Sequence, residues 1–499
     1  MGRLTVGRDV HREILGVAVP TDLPRHMYIG GRRVDAANGD RIATVDPATG
    51  QAFADVPSAT IADVDAAVDN SRRALRGPWR DTLPVERGRI LNRVARLIRR
   101  DAERLAIIET LDSGKPLAEA RGDVATAAGY FEYYAGIADK MQGDSIPLGT
   151  DYMSFTVHEP VGVTAHVIPW NFPLVTTARG VAPALAAGNT AVVKPASQTP
   201  LTALALAELL TEAGLPAGVY NALSGRGGVI GDALCGHAGV DHVTFTGSVP
   251  TGINVMKVAA ERVTSVTLEL GGKSPVVVLA DADLDAAVEG TLKAIYMNAG
   301  QVCSAGSRLV IERKVHAPML ERLVARARQL SVGHGLGDPK LGPLISDTHR
   351  RAVASYVDGA RTRGISVATG GEPVEVAGFE GGYFYAPTIL DAVHARDPVV
   401  QEEIFGPVLA VQVVESAEEA IEVCNGTPFG LCAGIYTRDL SRAMRFARDV
   451  DAGQIFINQY FAGGIQTPFG GTKLSGFGRE KGLAALAAYY QVKCITARI

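Results

Sequence analysis

The sequence has little of several things that would narrow its class. Only five cysteines occur in 499 residues: Cys235, Cys303, Cys424, Cys432 and Cys494. They are scattered and odd in number, none forms a CxxC pair, and none sits with histidine at zinc spacing. A disulfide framework is therefore not expected, and no metal is either. Charge of one sign is also missing. Lys and Arg number 49 against 53 Asp and Glu, a net −4, with no long basic run. Nucleic acid and anionic membrane are thus poor candidates as partners. No uncharged apolar run approaches the length of a membrane span, and no apolar stretch before Pro20 reads as a secretory leader. The expectation is a protein of the reducing cytoplasm whose first twenty-odd residues form a loosely held tail.

What is present points to a large globular chain. Hydrophobic residues make up 47% and glycines number 56, and the length exceeds what one core serves, so at least two domains are expected. Tyr28 to Val56 reads as hairpins. A helical block follows, with Ile90, Val94, Leu97 and Ile98 on one face. From Val161 to Leu270 strands alternate with helices: "VGVTAHVI", a helix at 177–187, "TAVVKP", the helix "PLTALALAELLTEAG", then "VDHVTFT" and "VTSVTLEL" about another helix. This is the grammar of a doubly wound α/β fold with a parallel sheet. It restarts after Gly271 with the strand "SPVVVLA" and the helix "ADLDAAVEGTLKAIYMNAG", and runs to about residue 480. The turn glycines of "ELGGKSP" mark a boundary at residue 270. Two β-prone segments, "DSIPLGTDYMSFTVHEP" and "AALAAYYQVKCITARI", have no βαβ unit to join.

Several short motifs carry chemistry. "FTGSVPTG" places Gly247 and Ser248 between a strand and a helix, where backbone N–H groups can approach phosphate; a plain glycine turn explains it equally well. "VVKPASQTP" ends a strand with Lys194 and sets Ser197 three residues on. The pair suits ribose hydroxyls or a 2′-phosphate, and a solvated lysine is the alternative. Glu269 ends an apolar strand, where a carboxyl has a raised pKa and suits a general base; pairing with a basic group competes with that reading. Asn171 in "PWNFP" is an amide held between prolines, a donor for a developing oxyanion or ordinary turn chemistry. Cys303 lies among Gly300, Gln301, Ser304, Ala305 and Gly306, without the aliphatic bulk of a structural cysteine. Thiol, carboxylate, amide and nucleotide site together describe thiohemiacetal formation, hydride loss and thioester hydrolysis.

From about residue 25 to its C-terminus, the chain resembles the aldehyde dehydrogenase superfamily. "PWNFP", "KPASQTP", "FTGS", "LELGGKSP", "GQVCSAGSR", "EEIFGPV" and "PFGGTKLSGFGRE" occur in that family's order. The resemblance implies a cofactor domain from 1–138 and 161–270, a catalytic domain from 271–482, and an oligomerisation arm from 139–160 and 483–499. It implies Cys303 as nucleophile, Glu269 as base, and Asn171 with the Cys303 N–H as oxyanion donors. Glu403 would hold the nicotinamide ribose and Phe405 flank its ring, while Trp170, Lys194, Gly247 and Ser248 fall at cofactor positions. A small-molecule aldehyde, NAD(P)+ and a homodimer or homotetramer follow as expectations.

Two departures matter. Many members carry glutamate where this chain has Ser197, and serine beside Lys194 tolerates a 2′-phosphate, so the expectation leans to NADP+; Arg226 in "SGRGG" is a second candidate phosphate partner. Many carry lysine where this chain has Gly180, so a proton-relay partner of Glu269 is missing. For substrate, Arg179 suggests a carboxylate clamp and a semialdehyde acid. Gly463 and Gly464 suggest a roomy mouth for a bulky or aromatic aldehyde, with Phe172 also in the substrate site. Internal pairing of Arg179 is the alternative. Two other functions compete with oxidation. A cysteine acyl hydrolase lacks a motif-placed histidine, since His166 lies within a strand. A non-catalytic binding protein has no need of Cys303, Glu269 and Asn171 together.

Overall fold

The computed structural model describes residues 13–499. Most of the expected N-terminal tail, residues 1–12, lies outside the described residues; Glu13–Ile14 and Val17–Ala18 pair as a minimal hairpin. No helix among the described residues is long and apolar enough to cross a membrane.

The alternating segments build an eight-stranded sheet. Its order is Gly476–Phe477, Ser265–Glu269, His242–Thr246, Val163–Val167, Thr190–Lys194, Tyr220–Ala222, Met27–Ile29 and Arg32–Val34. The five strands between Val163 and Glu269 run parallel; the hairpin at one edge and Gly476–Phe477 at the other are antiparallel. Chain order reverses at Val163–Val167: its successors in sequence lie first on one side, then on the other. Such a switch point opens a crevice beyond the carboxyl ends of the strands. "PWNFP" leaves one of those ends and "TGS" leaves its neighbour.

The following helix runs Pro173–Ala186, not 177–187. Proline at a helix start lacks only an N–H that the first turn leaves unbonded anyway, so the helix begins there. It is buried on nearly every side, and Gly180 is the reason it lies so close to the sheet: a Cβ there would stand 2.6 Å from His166 Nδ1. The helical block at 84–100 is Pro84–Arg100, with Ile90, Val94 and Ile98 in the core and Leu97 packed at its edge.

A second, seven-stranded sheet has the order Ser366–Thr369, Thr388–Asp391, Val408–Val414, Arg308–Glu312, Pro275–Val278, Cys432–Tyr436 and Gln454–Ile457. Pro275–Val278 is apolar throughout because both of its faces are covered, as in the middle of a parallel sheet. The helix expected through "MNAG" stops at Tyr296. Asn298, Ala299 and Gly300 take φ of 47°, 53° and 74°, which ends helical continuation and turns the chain toward Cys303.

The two segments without a βαβ unit pair with each other. Tyr152–Pro160 and Tyr490–Arg498 run antiparallel over nine residues each, and Ser145–Ile146 adds a third strand. The C-terminal strand forms one edge and is exposed along almost its whole length.

Candidate active site

A cavity of about 550 Å³ opens at the switch point, between the two sheets. Cys303, Glu269 and Asn171 all line it, as do Trp170, Phe172, Arg179, Gly247, Ser248, Glu403 and Phe405. Ten of the thirteen residues expected to serve catalysis, cofactor or substrate therefore meet on one surface.

The cysteine loop is held from several sides. Gln301 donates to the Asn298 carbonyl at 3.1 Å and accepts from the Ile345 N–H at 2.9 Å. The Asn298 N–H donates to Glu119 Oε2 at 2.9 Å, and Tyr460 donates to the Ser304 carbonyl at 3.1 Å. Gly300 is required twice over, by its φ and because a Cβ would sit 2.1 Å from the Gly406 carbonyl oxygen. The Cys303 N–H donates to no acceptor among the described residues. Asn171 Nδ2 donates to the Gln301 carbonyl at 2.9 Å, which ties its amide to the cysteine loop.

Burial pushes the Cys303 thiol up to about 11; Arg179 pulls it down, while Glu269 and Glu403 push the same way as burial. Glu269 is 2% exposed, and neither carboxyl oxygen has a hydrogen-bond partner. Burial, and then the nearby Glu480, raise its pKa well above the ordinary carboxylate range, against the pull of Arg179 and Arg479. A buried carboxyl and a thiol that line the same cavity are the pair a proton transfer from sulfur needs.

Arg179 lines the cavity, yet its Nε is ion-paired with Glu480, and Nη2 reaches Thr246 Oγ1 at 3.4 Å. Burial works against its charge; Glu480 and, to a smaller extent, Tyr130, Glu269 and Cys303 together outweigh it, and the guanidinium stays charged. His166 does not line the cavity. Its Nε2 is 2.8 Å from Thr164 Oγ1, and burial lowers its pKa to about 3, so it packs as a neutral ring.

The dinucleotide end of the cavity fits its expected occupant. Glu403 accepts from the Gly272 N–H at 3.1 Å, and only glycine fits at 271, where a Cβ would stand 1.9 Å from Glu403 Oε2. Burial raises Glu403 to about 7. Trp170 and Phe405 meet edge to face at 5.2 Å. Ser248 stands at the N-cap position of the helix Val249–Ala260 without a side-chain capping bond, and a helix start of this kind is a setting for a phosphate. Lys194 is 3% exposed, its ammonium lowered by burial to about 8, and it donates only to the neighbouring Pro195 carbonyl, at 3.1 Å. A buried ammonium with N–H groups to spare suits ribose hydroxyls. Ser197 lies beyond it, half-buried and bonded to Gln198 at 3.2 Å. Arg226 is exposed at the start of the helix Gly227–Cys235, on a separate depression.

Four participants were not foreseen. Glu480 and Lys481 end the "PFGGTKLSGFGREK" stretch, whose glutamate was visible as part of a motif but given no task. Glu119 and Asp123 come from a helix that carries no chemical signature.

Comparison with known proteins agrees with this geometry. Residues 34–495 match the family described as "Aldehyde dehydrogenase family". An aldehyde dehydrogenase of Aspergillus niger is 43% identical over 483 residues, 96% of each chain. A betaine aldehyde dehydrogenase of Bacillus subtilis is 41% identical, covering 94% of this chain and 96% of that protein. The NAD+ complex of an aldehyde dehydrogenase from Bacillus cereus superposes with a TM-score of 0.93 at 42% identity, covering 95% of this chain and 96% of the other. The chain belongs to the aldehyde dehydrogenase family. It is an enzyme that oxidises an aldehyde with NAD(P)+ as acceptor.

Proposed function

We propose that Cys303 is the nucleophile of this oxidation, Glu269 its proton acceptor, and Asn171 with the Cys303 N–H its oxyanion donors. The observation that carries this reading is one cavity wall holding an unpaired carboxyl, a thiol and an unpartnered backbone N–H. Sγ bonds to the carbonyl carbon, the thiol proton passes to Glu269, and the oxygen becomes an anion between the Asn171 amide and the Cys303 N–H. A bound nicotinamide dinucleotide supplies the acceptor for the hydride the carbon loses. Glu269 then gives the thiol proton up to solvent and, as a carboxylate again, deprotonates the water that attacks the acyl carbon. The C–S bond breaks, the carboxylate product leaves and Sγ is reprotonated to the thiol. In this reading Glu403 and Phe405 hold the nicotinamide ribose and ring, while Trp170, Lys194, Gly247 and Ser248 line the dinucleotide's path.

NADP+ serves at least as well as NAD+, because Ser197 places no negative charge where a 2′-phosphate would sit and Lys194 adds a positive one; Arg226 is a second, outlying partner. The eight-stranded sheet and its helices form the dinucleotide domain, and the seven-stranded sheet the catalytic one. The paired strands Tyr152–Pro160 and Tyr490–Arg498 form an arm through which the chain assembles as a homodimer or homotetramer in the cytoplasm. Phe172 forms part of the substrate wall, and Arg179 serves Glu480 more directly than it serves substrate.

The test is the absorbance of reduced nicotinamide with NAD+ or NADP+ and a panel of aldehydes, repeated with Cys303→Ala. Turnover by the wild type and its loss in Cys303→Ala, with dinucleotide binding retained, is the expected result. Undiminished turnover in Cys303→Ala would remove the cysteine from the reaction.

A further inference from the structure

Among the cationic side chains in and behind the substrate half of the cavity, one has no acidic partner among the described residues. Arg179 is taken by Glu480, and Lys115, fully buried behind Phe172, is taken by Asp123 and Glu109. Lys481 lines the same cavity, half-buried, and its ammonium makes no ion pair or hydrogen bond among the described residues. Its Nζ stands 5.7 Å from the centroid of the Phe469 ring, a ring that also has the Arg179 guanidinium over it at 5.4 Å.

Two features make this placement more than a surface lysine that happens to fold inward. The backbone of Lys481 is left-handed, at φ 63°, and the next residue is Gly482 at 56°. A lysine held in that region carries strain that glycine or asparagine would avoid, and strain kept at a cavity wall points to use. Second, the ammonium shares its wall with Arg179. Burial and then that like charge lower its pKa, and Cys432 and Glu480 offset them only in part, so the ion is kept where its surroundings on balance disfavour it. An anion entering the cavity would relieve both costs.

We propose that Lys481 is the specificity-determining cation of this enzyme, and that its aldehyde substrate carries a carboxylate at the end remote from the carbonyl, an ω-oxo acid. The inference rests on the aldehyde-oxidising reading of the site and names the substrate class for it. Burial raises the pKa of Glu269, which weakens its opposition to such a ligand, and Asp123 is ion-paired with Lys115. Phe172, Phe461, Phe469 and Met297 also line the cavity and supply apolar surface that suits the methylene chain between the two ends. No position for the carboxylate is needed at Arg179, whose Nε is already engaged.

The experiment compares three aldehyde classes of matched size: semialdehyde acids of four to six carbons, the corresponding neutral alkanals, and the cationic betaine aldehyde. The wild type is expected to favour the acids over the alkanals by at least about tenfold in kcat/KM and to use betaine aldehyde worst, since one charge-assisted hydrogen bond accounts for such a factor. In Lys481→Met, kcat/KM for the acid should fall about ten- to a hundredfold further than for the alkanal, mostly through KM. Lys481→Glu should move the preference toward betaine aldehyde. A wild type that prefers the neutral or cationic aldehyde overturns the assignment, whether or not the variants fold. So does an equal loss on acid and alkanal in Lys481→Met. If no aldehyde of any class reduces either dinucleotide, it is the oxidation reading that fails, and this inference falls with it.

Discussion

Replacing Glu480 by glutamine removes one charge at the centre of the buried polar group behind Cys303. In the wild type Glu480 is ion-paired with Arg179, with side chains 3% and 10% exposed respectively. Glu480 also raises the pKa of Glu269, whereas Arg179 lowers it. Glu480→Gln therefore acts on Glu269 twice in the same direction: a repelling charge disappears, and a guanidinium is left free to favour the ionised carboxyl. A neighbouring charge at ion-pair range moves a carboxyl by about one to three pH units, so the acid limb of kcat against pH should move down by about that much. The sign follows from the role. Glu269 must be deprotonated to accept a proton, so activity rises with pH through its pKa, and lowering that pKa moves the rise to more acid conditions. The stability cost is separate. Removing one partner of a buried ion pair costs about 3–5 kcal/mol, to be read from urea unfolding at neutral pH. A pH–rate profile, with thioester accumulation followed in single-turnover mixing, checks the catalytic part. An acid limb that stays in place, or moves to higher pH, would refute the electrostatic account even if the protein is destabilised as expected.

Two further outcomes are expected. Ser197→Glu should lower the ratio of NADP+ to NAD+ kcat/KM by more than about tenfold, because a like-charge contact costs several kcal/mol; initial rates with both dinucleotides measure it, and a wild type strictly specific for NAD+ refutes the premise. Deleting residues 490–499 strips the partner from Tyr152–Pro160 along its length and leaves an open strand edge, so light scattering should report a smaller assembly or aggregation. An unchanged mass would count against the arm.

The parallel sheet was readable because its signal is local: apolar strands of four to seven residues alternating with helices cannot be arranged in many other ways. Cys303, Glu269 and Asn171 could be picked out because each stands in a short motif of unusual local composition: a thiol among small and polar residues, a carboxyl ending an apolar strand, and an amide between prolines. What escaped depends on distance in the chain. Gly476–Phe477 joins the sheet beside Ser265–Glu269 although some two hundred residues separate them, and two residues carry no period to detect. The left-handed turn at Asn298 and Ala299 has no glycine until its last residue, so propensity favours helix there; the hydrogen bond from the Asn298 N–H to Glu119, more than 170 residues away, decides otherwise. Lys481 was hidden for the opposite reason. A lysine after a glutamate reads as solvated surface, and only the cavity reveals that it faces inward.

The fit between Gly180 and His166 bears on how this sequence can change. The volume into which a side chain at 180 would grow is filled by an imidazole 2.6 Å from the hypothetical Cβ, with the Tyr489 hydroxyl 3.7 Å away behind it. Lysine at 180, the residue the family resemblance leads one to expect, cannot arrive by a single substitution. It needs a smaller residue at 166 first, and that intermediate would leave a hole between a wholly buried helix and the strand at the middle of the sheet. The two positions are therefore locked as a pair. A chain in the glycine-and-histidine state is held there by steric order of events, and placing an ammonium at 180 in the laboratory should require both changes to be made together.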